Sequence, residues 1–267
     1  EEAAAGTPAP AGARKSFGLR RSSSGGPKAA LARARVELKP TSGGFNISEF
    51  FKSGPGPAIE KELSEATTSC TSLWDAHPDG IPLERDRYGV GIYWNRDGVK
   101  VNLGVQALLV DSHGRITNAV HDLNRGALKA AVRHERGGPA CGRSECGGVI
   151  WVALPQLPQQ VALLIFVVAT YVGHLGSASN GVIQVVAEST ANGMVELDLS
   201  RHTGDVGTIA MIKRSGRASF SLVRTEDFSK SGRHFMDILE PTLGRVIREA
   251  LPTVPKRHKA CLAFTRM

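Results

Sequence analysis

The run VALLIFVVAT, residues 161–170, decides what kind of protein this is. A continuous apolar stretch is a membrane span, a buried helix segment or a strand covered on both faces. A spanning helix needs about 20 apolar residues, and this run is about half that length. Its β-branched residues and the turn residues that flank it make it a fully buried strand. The chain is therefore expected to be soluble, or at most peripheral to a membrane.

Working outward, shorter segments read the same way. Residues 88–94 (YGVGIYW) alternate and run into Asn95-Arg96-Asp97-Gly98, where Asp-Gly readily adopts the positive φ of a tight turn. Residues 99–110 (VKVNLGVQALLV) form the next strand, turned by Asp111-Ser112-His113-Gly114. Residues 149–154, 181–186, 194–199, 206–213 and 218–224 follow, separated by Pro, Gly, Asn and Asp. Many short strands at this spacing, with little helical periodicity between them, predict an all-β sandwich. Residues 235–250 (FMDILEPTLGRVIREA) carry the one good helical pattern, a short C-terminal helix that Pro241 must break or begin.

Upstream the composition changes. Residues 1–57 are dense in Ala, Gly, Pro, Ser and Arg and poor in large apolar side chains, a long irregular basic N-terminal extension. Such a segment cannot offset its own ordering entropy, so a partner surface is expected to hold it. Residues 58–87 read as a short amphipathic helix (AIEKELSEAT) and an irregular linker, residues 88–251 as the sandwich, and residues 252–267 as a basic C-terminal tail. The chain begins at Glu1 rather than at methionine, which implies a removed leader or tag.

The formal charge of +8 over 267 residues is concentrated at the ends. Arg14, Lys15, Arg20, Arg21, Lys28, Arg33, Arg35 and Lys39 face only Glu37, and Lys256, Arg257, His258 and Lys259 form a second cluster. Basic ends on a near-neutral middle suit docking on acidic protein, RNA or an anionic lipid surface, or serve only to keep the chain soluble. Arg20, Arg21, Arg33 and Arg35 are the candidate steering charges. Phe45, Phe50 and Phe51 (FNISEFF, residues 45–51) are either the apolar anchor on a partner or a patch that folds back on the chain's own core.

Cys70, Cys141, Cys146 and Cys261 do not make a secreted disulfide framework in a chain this long. Cys141 and Cys146 stand as C-x4-C in a glycine-rich stretch, open to zinc with His134 as a third ligand, to a local disulfide, or to ordinary loop thiols. No Gly-x-Ser-x-Gly, phosphate-cradling loop or Cys-His pair on a known scaffold is present. The histidines are spread through turns, and the expectation is a non-catalytic protein with no cofactor and no small-molecule substrate.

Four stretches carry a resemblance. GVGIYWNRDG (89–98), VNLGVQALLVDSHGRI (101–116), GGVIWVALPQLPQQVALLIFVVATY (147–171) and ELDLSRHTGDVGTIAMIKRSGRASFSLV (196–223) stand in the order of segments of TerD-like domains, from tellurium-resistance and stress-response proteins. The resemblance implies a TerD-like β-sandwich. In that family an Asp-Leu-Asp strand and a Gly-Asp-Asp-Glu loop bring carboxylates to calcium, a hard cation that takes six to eight oxygens. Here the strand's aspartates fall on Asn102 and Gly104, and the loop's acidic residues on about Cys146, Gly147 and Gly148, with Arg133, Arg136 and Arg143 nearby. The resemblance thus implies a vestigial site at Asn102, Gly104, Asp111 and Glu145 that holds no metal.

The functional expectation is an accessory, structural subunit of a large organellar assembly whose arm drapes over neighbouring protein subunits. A stromal-side subunit of a plastid photosystem–antenna complex at the thylakoid comes first. A mitochondrial ribosome subunit contacting RNA and a calcium-responsive stress protein are the alternatives.

Overall fold

The computed structural model describes residues 73–95, 100–137, 144–188 and 194–263, all within the unit Gly43–Met267. In it the apolar run becomes a strand hydrogen-bonded along both edges. One sheet holds seven strands in the order β1 (Ile81–Pro82), β12 (Phe220–Ser229), β11 (Val206–Arg214), β8 (Val161–Val172), β3 (Asn102–Asp111), β4 (Arg115–Val120) and β13 (Cys261–Leu262). The other holds six: β10 (Val195–Asp198), β9 (Val182–Ala187), β2 (Arg87–Asn95), β7 (Ser144–Ala153), β6 (Val132–Glu135) and β5 (Gly126–Ala127). Neighbours are antiparallel except β13, which lies parallel to β4. The protein is a two-sheet β-sandwich.

Strand β8 is apolar on both faces because both are covered. Leu164, Phe166 and Val168 point into the core between the sheets, with Val90, Ile92 and Trp94 of β2 and Ile150 and Val152 of β7. Leu163, Ile165, Val167 and Ala169 point the other way, into a second core beneath the C-terminal segment. A strand buried on one face only would alternate with polar residues; this one cannot.

That second core is roofed by Phe235, Ile238, Leu243, Val246 and Ile247. The predicted helix is real but interrupted. A 3-10 turn, Phe235–Ile238, ends before Glu240, which is extended (φ −133°, ψ 141°), and helix α1, Gly244–Ala250, forms only after Pro241. Pro241 thus begins the final helix, since its ring excludes the carbonyl geometry of a continuous one. Gln106, buried on β3, fastens the roof by accepting a hydrogen bond from the Phe235 N–H at 3.1 Å.

Several strands had no counterpart in the sequence reading. β1, β4, β5, β6 and β13 are short or polar-faced, and residues 252–263, read as the start of a basic tail, pack against the body. Val254 and Ala260 are buried, and Cys261–Leu262 pair with β4. Trp74 and Ile81, read as linker, are 5% and 4% exposed and belong to the core between the sheets. The expected arm at 1–57 and helix in 58–68 lie outside the described residues. Among the described residues no helix is long and apolar enough to cross a membrane.

Candidate functional site

The first residues of β3, the last of β8 and the middle of β7 meet where the sandwich closes. Asn102, Leu103, Gly104 and Val105 of β3, Tyr171 of β8, Gly147 of β7, His134 of β6 and Asp122, two residues past β4, line a cavity of about 230 Å³. Two of these, Asn102 and Gly104, are positions where the resemblance puts metal-binding aspartates.

Tyr171 fills the space at Gly104. A Cβ built there would stand 2.9 Å from the phenol ring, closer than side chains pack. The Gln106 Nε2 reaches the Tyr171 hydroxyl at a long 3.5 Å. Burial, with the Asp122 carboxylate adding to it, pushes the Tyr171 pKa up, so the phenol stays protonated. His134 is 4% exposed, and its Nδ1 has no hydrogen-bond partner among the described residues. Burial holds its pKa below the usual histidine range, against the pull of Asp122, so the ring is neutral near pH 7. Asp122 is the one carboxylate among the described residues of the lining, half exposed, with its Oδ1 3.4 Å from the His121 Nδ1.

These donors do not fit calcium. The cation wants six to eight oxygens, several of them charged; the described lining offers one carboxylate, one amide side chain and a phenol. Among the described residues no three His, Cys, Asp or Glu side chains come together as a metal cluster.

The expected vestigial set is also not assembled at one place. Asp111 sits at the far end of β3, nine residues from Asn102, or about 30 Å at the rise of a strand. Its carboxylate closes the β3–β4 turn instead, accepting from the backbone N–H of His113 and Arg115, each at 2.9 Å, and from the Arg115 Nε at 2.8 Å. Glu145 lies opposite Trp94 in the β2–β7 register, and its side chain lies outside the described residues. Arg20, Arg21, Arg33, Arg35, Phe45, Phe50 and Phe51 also lie outside them.

Asp111 gives a pH-dependent expectation. Burial alone would raise its pKa, but the hydrogen bonds from Arg115 and His113 and the Arg115 charge outweigh it and hold the pKa below 3.8. A folded pKa depressed below the unfolded one adds stability that is present above the unfolded value and lost as pH falls through the folded value. Asp111→Asn is expected to cost about 1–2 kcal/mol at pH 7 and progressively less toward pH ~2, checked by urea unfolding across that range.

Of the two cysteines of the C-x4-C motif, Cys146 is a free thiol on strand β7 rather than in a loop, and Cys141 lies outside the described residues. Burial pushes the Cys146 pKa up, against hydrogen bonds from the Gly148 backbone and the Tyr93 hydroxyl, so it rests as a thiol. The sequence reading passed over Asp122 and Tyr171 and took His134 only as a third zinc ligand. No local motif joins them, because they are brought together by pairing between distant strands.

What the fold and the cavity define is a two-sheet sandwich with a nearly neutral polar cavity at one end. No protein-family model matches the chain, and no curated protein does. Among solved structures, the chain is similar to the protein of unknown function SAV2460, with a TM-score of 0.48 and 13% identity over 56% of this chain and 92% of that one. It is also similar to a homologue of the telluride-resistance protein TerD from Streptomyces coelicolor A3(2), with a TM-score of 0.45 and 17% identity over 55% of this chain and 92% of that one.

Proposed function

We propose that this chain is a non-catalytic accessory subunit of a larger assembly, in which the sandwich is a metal-independent scaffold and the basic N-terminal arm does the docking. The observation that carries the reading is the Tyr171 phenol at Gly104, the position where the resemblance puts a metal-binding aspartate. With the neutral His134 beside it, the cavity is built to be filled by the protein's own rings. The eight basic residues between Arg14 and Lys39, against one acid, supply the attraction.

Within this reading a stromal-side subunit of a plastid photosystem–antenna complex is the first candidate assembly and a mitochondrial ribosome the second. Pigment or ribosomal RNA in the particle that co-purifies with the tagged chain separates them, and a free chain in the extract would count against both.

Exposed charges are screened within about 10 Å at 0.1 M salt, so the arm should act on association more than on release. Replacing Arg20, Arg21, Arg33 and Arg35 by glutamine is expected to slow incorporation about tenfold or more at low salt, with little change in dissociation. Incorporation of labelled chain into the purified assembly at 20 mM and 300 mM salt checks this. Equal rates for the variant and the native chain at low salt would overturn the docking role of these arginines.

A further inference from the structure

Three arginines among the described residues are half-buried: Arg87, Arg214 and Arg248. Arg87 pairs with Glu188 at 2.8 Å and Arg248 with Glu240 at 3.2 Å. Arg214 has no carboxylate partner among the described residues. Its Nε donates to the Val161 carbonyl at 2.9 Å and its Nη1 to that of Arg217 at 3.0 Å. Its Nη2 donates to the carbonyls of Leu157 and Pro158, at 3.1 and 3.0 Å. These bonds use four of the five guanidinium N–H groups. Carbonyl oxygens satisfy donors without cancelling the charge, and buried charges are ordinarily paired. Burial accordingly pulls the Arg214 pKa down, although the group stays protonated.

This uncompensated cation borders a cleft of about 440 Å³ at the end of the sandwich where β8 begins. The cleft is separate from the cavity at Gly104. Tyr171 lies ten residues along β8 from Val161, about 33 Å at the rise of a strand. Three segments wall the cleft: residues 83–86 after β1, the β7–β8 connection 154–159, and the β11–β12 hairpin around 214–220. Hydrogen bonds tie them together. The Leu83 N–H donates to the Phe220 carbonyl at 3.0 Å and the Leu154 N–H to the Asp86 carbonyl at 2.8 Å. The Gln159 Nε2 donates to the Arg217 carbonyl, also at 2.8 Å. The walls are thus held in place before any ligand arrives, which lowers the ordering cost of binding.

The floor is apolar. Leu154, Leu157 and Phe220 belong to the rim of the core between the sheets, with Leu83 packed against it. The Arg214 guanidinium stands 4.4 Å from the centroid of the Phe220 ring. Charge is divided between the walls. Arg214 and Arg217 give the hairpin side two positive charges, while on 84–86 the two acids Glu84 and Asp86 outweigh Arg85 by one negative charge. A polyanion would meet Glu84 and Asp86. A single negative group placed at the hairpin would not, and a carboxylate matches the planar guanidinium.

We propose that this cleft binds a small monocarboxylate with an apolar body, its carboxylate at Arg214 and Arg217 and its hydrocarbon over Leu83, Leu154, Leu157 and Phe220. The cleft lies within the range of about 300–1,000 Å³ in which small-molecule sites fall, apolar with a few placed polar groups. The inference goes beyond the docking reading and uses none of its residues, so either can fail without the other.

The test titrates the isotopically labelled full chain with octanoate, 1-octanol and octylamine, followed by amide chemical shifts. Octanoate is expected to give saturable shifts at residues 83–86, 154–159 and 214–220, with 1-octanol binding about tenfold more weakly or worse and octylamine not at all. Ala218→Glu, at an exposed hairpin position that lines the cleft, supplies a competing carboxylate beside the arginines. It should weaken octanoate about tenfold or more, while Ala218→Gln stays within about twofold of the native chain. Absence of saturable shifts at these residues at millimolar octanoate would overturn the proposal, as would saturable shifts only elsewhere. Equal affinity for 1-octanol, or seating of octylamine, would make the cleft merely apolar and overturn it too. Should Ala218→Glu disturb amide shifts throughout the sandwich, the comparison of the three ligands on the native chain decides.

Discussion

Replacing Phe166 by alanine is expected to cost about 3–5 kcal/mol of folding free energy, the largest single effect we anticipate. The ring is fully buried at the centre of β8. Its cross-strand partners on both sides are small, Ala107 on β3 and Ala210 on β11. The phenyl group therefore fills the space that two alanines leave between the sheets, and neither neighbour can swing in to occupy it. The cost of such a cavity depends on how far the site can collapse, and here strands bonded on both edges hold it open. Urea unfolding at constant slope would show the loss. A change under about 1 kcal/mol would mean that the sheets close over the hole and that the core around Phe166 is loosely packed. A domain of this kind has a total stability of about 5–15 kcal/mol, so the variant should fold marginally at 37 °C.

The second large effect is at the cavity. Gly104→Asp is expected to destabilise by about 2–3 kcal/mol and to create no calcium affinity. Its Cβ would meet the Tyr171 ring at 2.9 Å, and the new carboxylate would face Asp122 across the same small space. Like charges in one cavity raise each other's pKa and oppose folding. Adding Tyr171→Ala should relieve the steric part while leaving the repulsion, so part of the loss returns. Thermal unfolding of the single and double variants, each with and without millimolar calcium, checks both halves. If Gly104→Asp alone gains several degrees from calcium, the cavity is a metal site that lacks only one ligand.

The sandwich was legible in the sequence where strands are apolar and bounded by turns. Residues 161–170 announced a strand covered on both faces, and the structure supplies both covers, the facing sheet and the C-terminal roof. The alternating run at 88–94 is β2, one residue longer at each end. Strand 99–110 starts later than expected, at Asn102, and the last strand runs on to Ser229. β4 escaped notice because RITNAV alternates weakly and takes its stability from pairing with β3 rather than from its own composition. Residues 252–263 read as a tail because four basic or titratable side chains mask the apolar ones that dock it, Val254, Ala260 and Leu262 among them. Charge marks a surface without saying whether the backbone beneath is packed.

The site was less legible. Asp111 was grouped with Asn102 through family resemblance, although the rise of a strand alone separates residues nine apart by about 30 Å. The cavity's own members, Asp122, His134 and Tyr171, lie on three separate stretches of chain. Only the long-range pairing of β3 with β8 and of β6 with β7 brings them together. Pairings of that kind leave no local signal, so the departures at Asn102 and Gly104 could be seen in the sequence but the rings around them could not.

Whether the sandwich works without metal can be read from thermal unfolding of the full chain during a calcium titration. A ligand stabilises the folded state only as its concentration passes its dissociation constant. With one carboxylate among the described residues of the cavity, the melting temperature is expected to stay unchanged within about 1 °C up to 1 mM calcium against a chelator control, since a shift of that size is well under 1 kcal/mol. A rise of several degrees at sub-millimolar calcium, abolished by Asp122→Asn, would contradict it and make the cavity a calcium site.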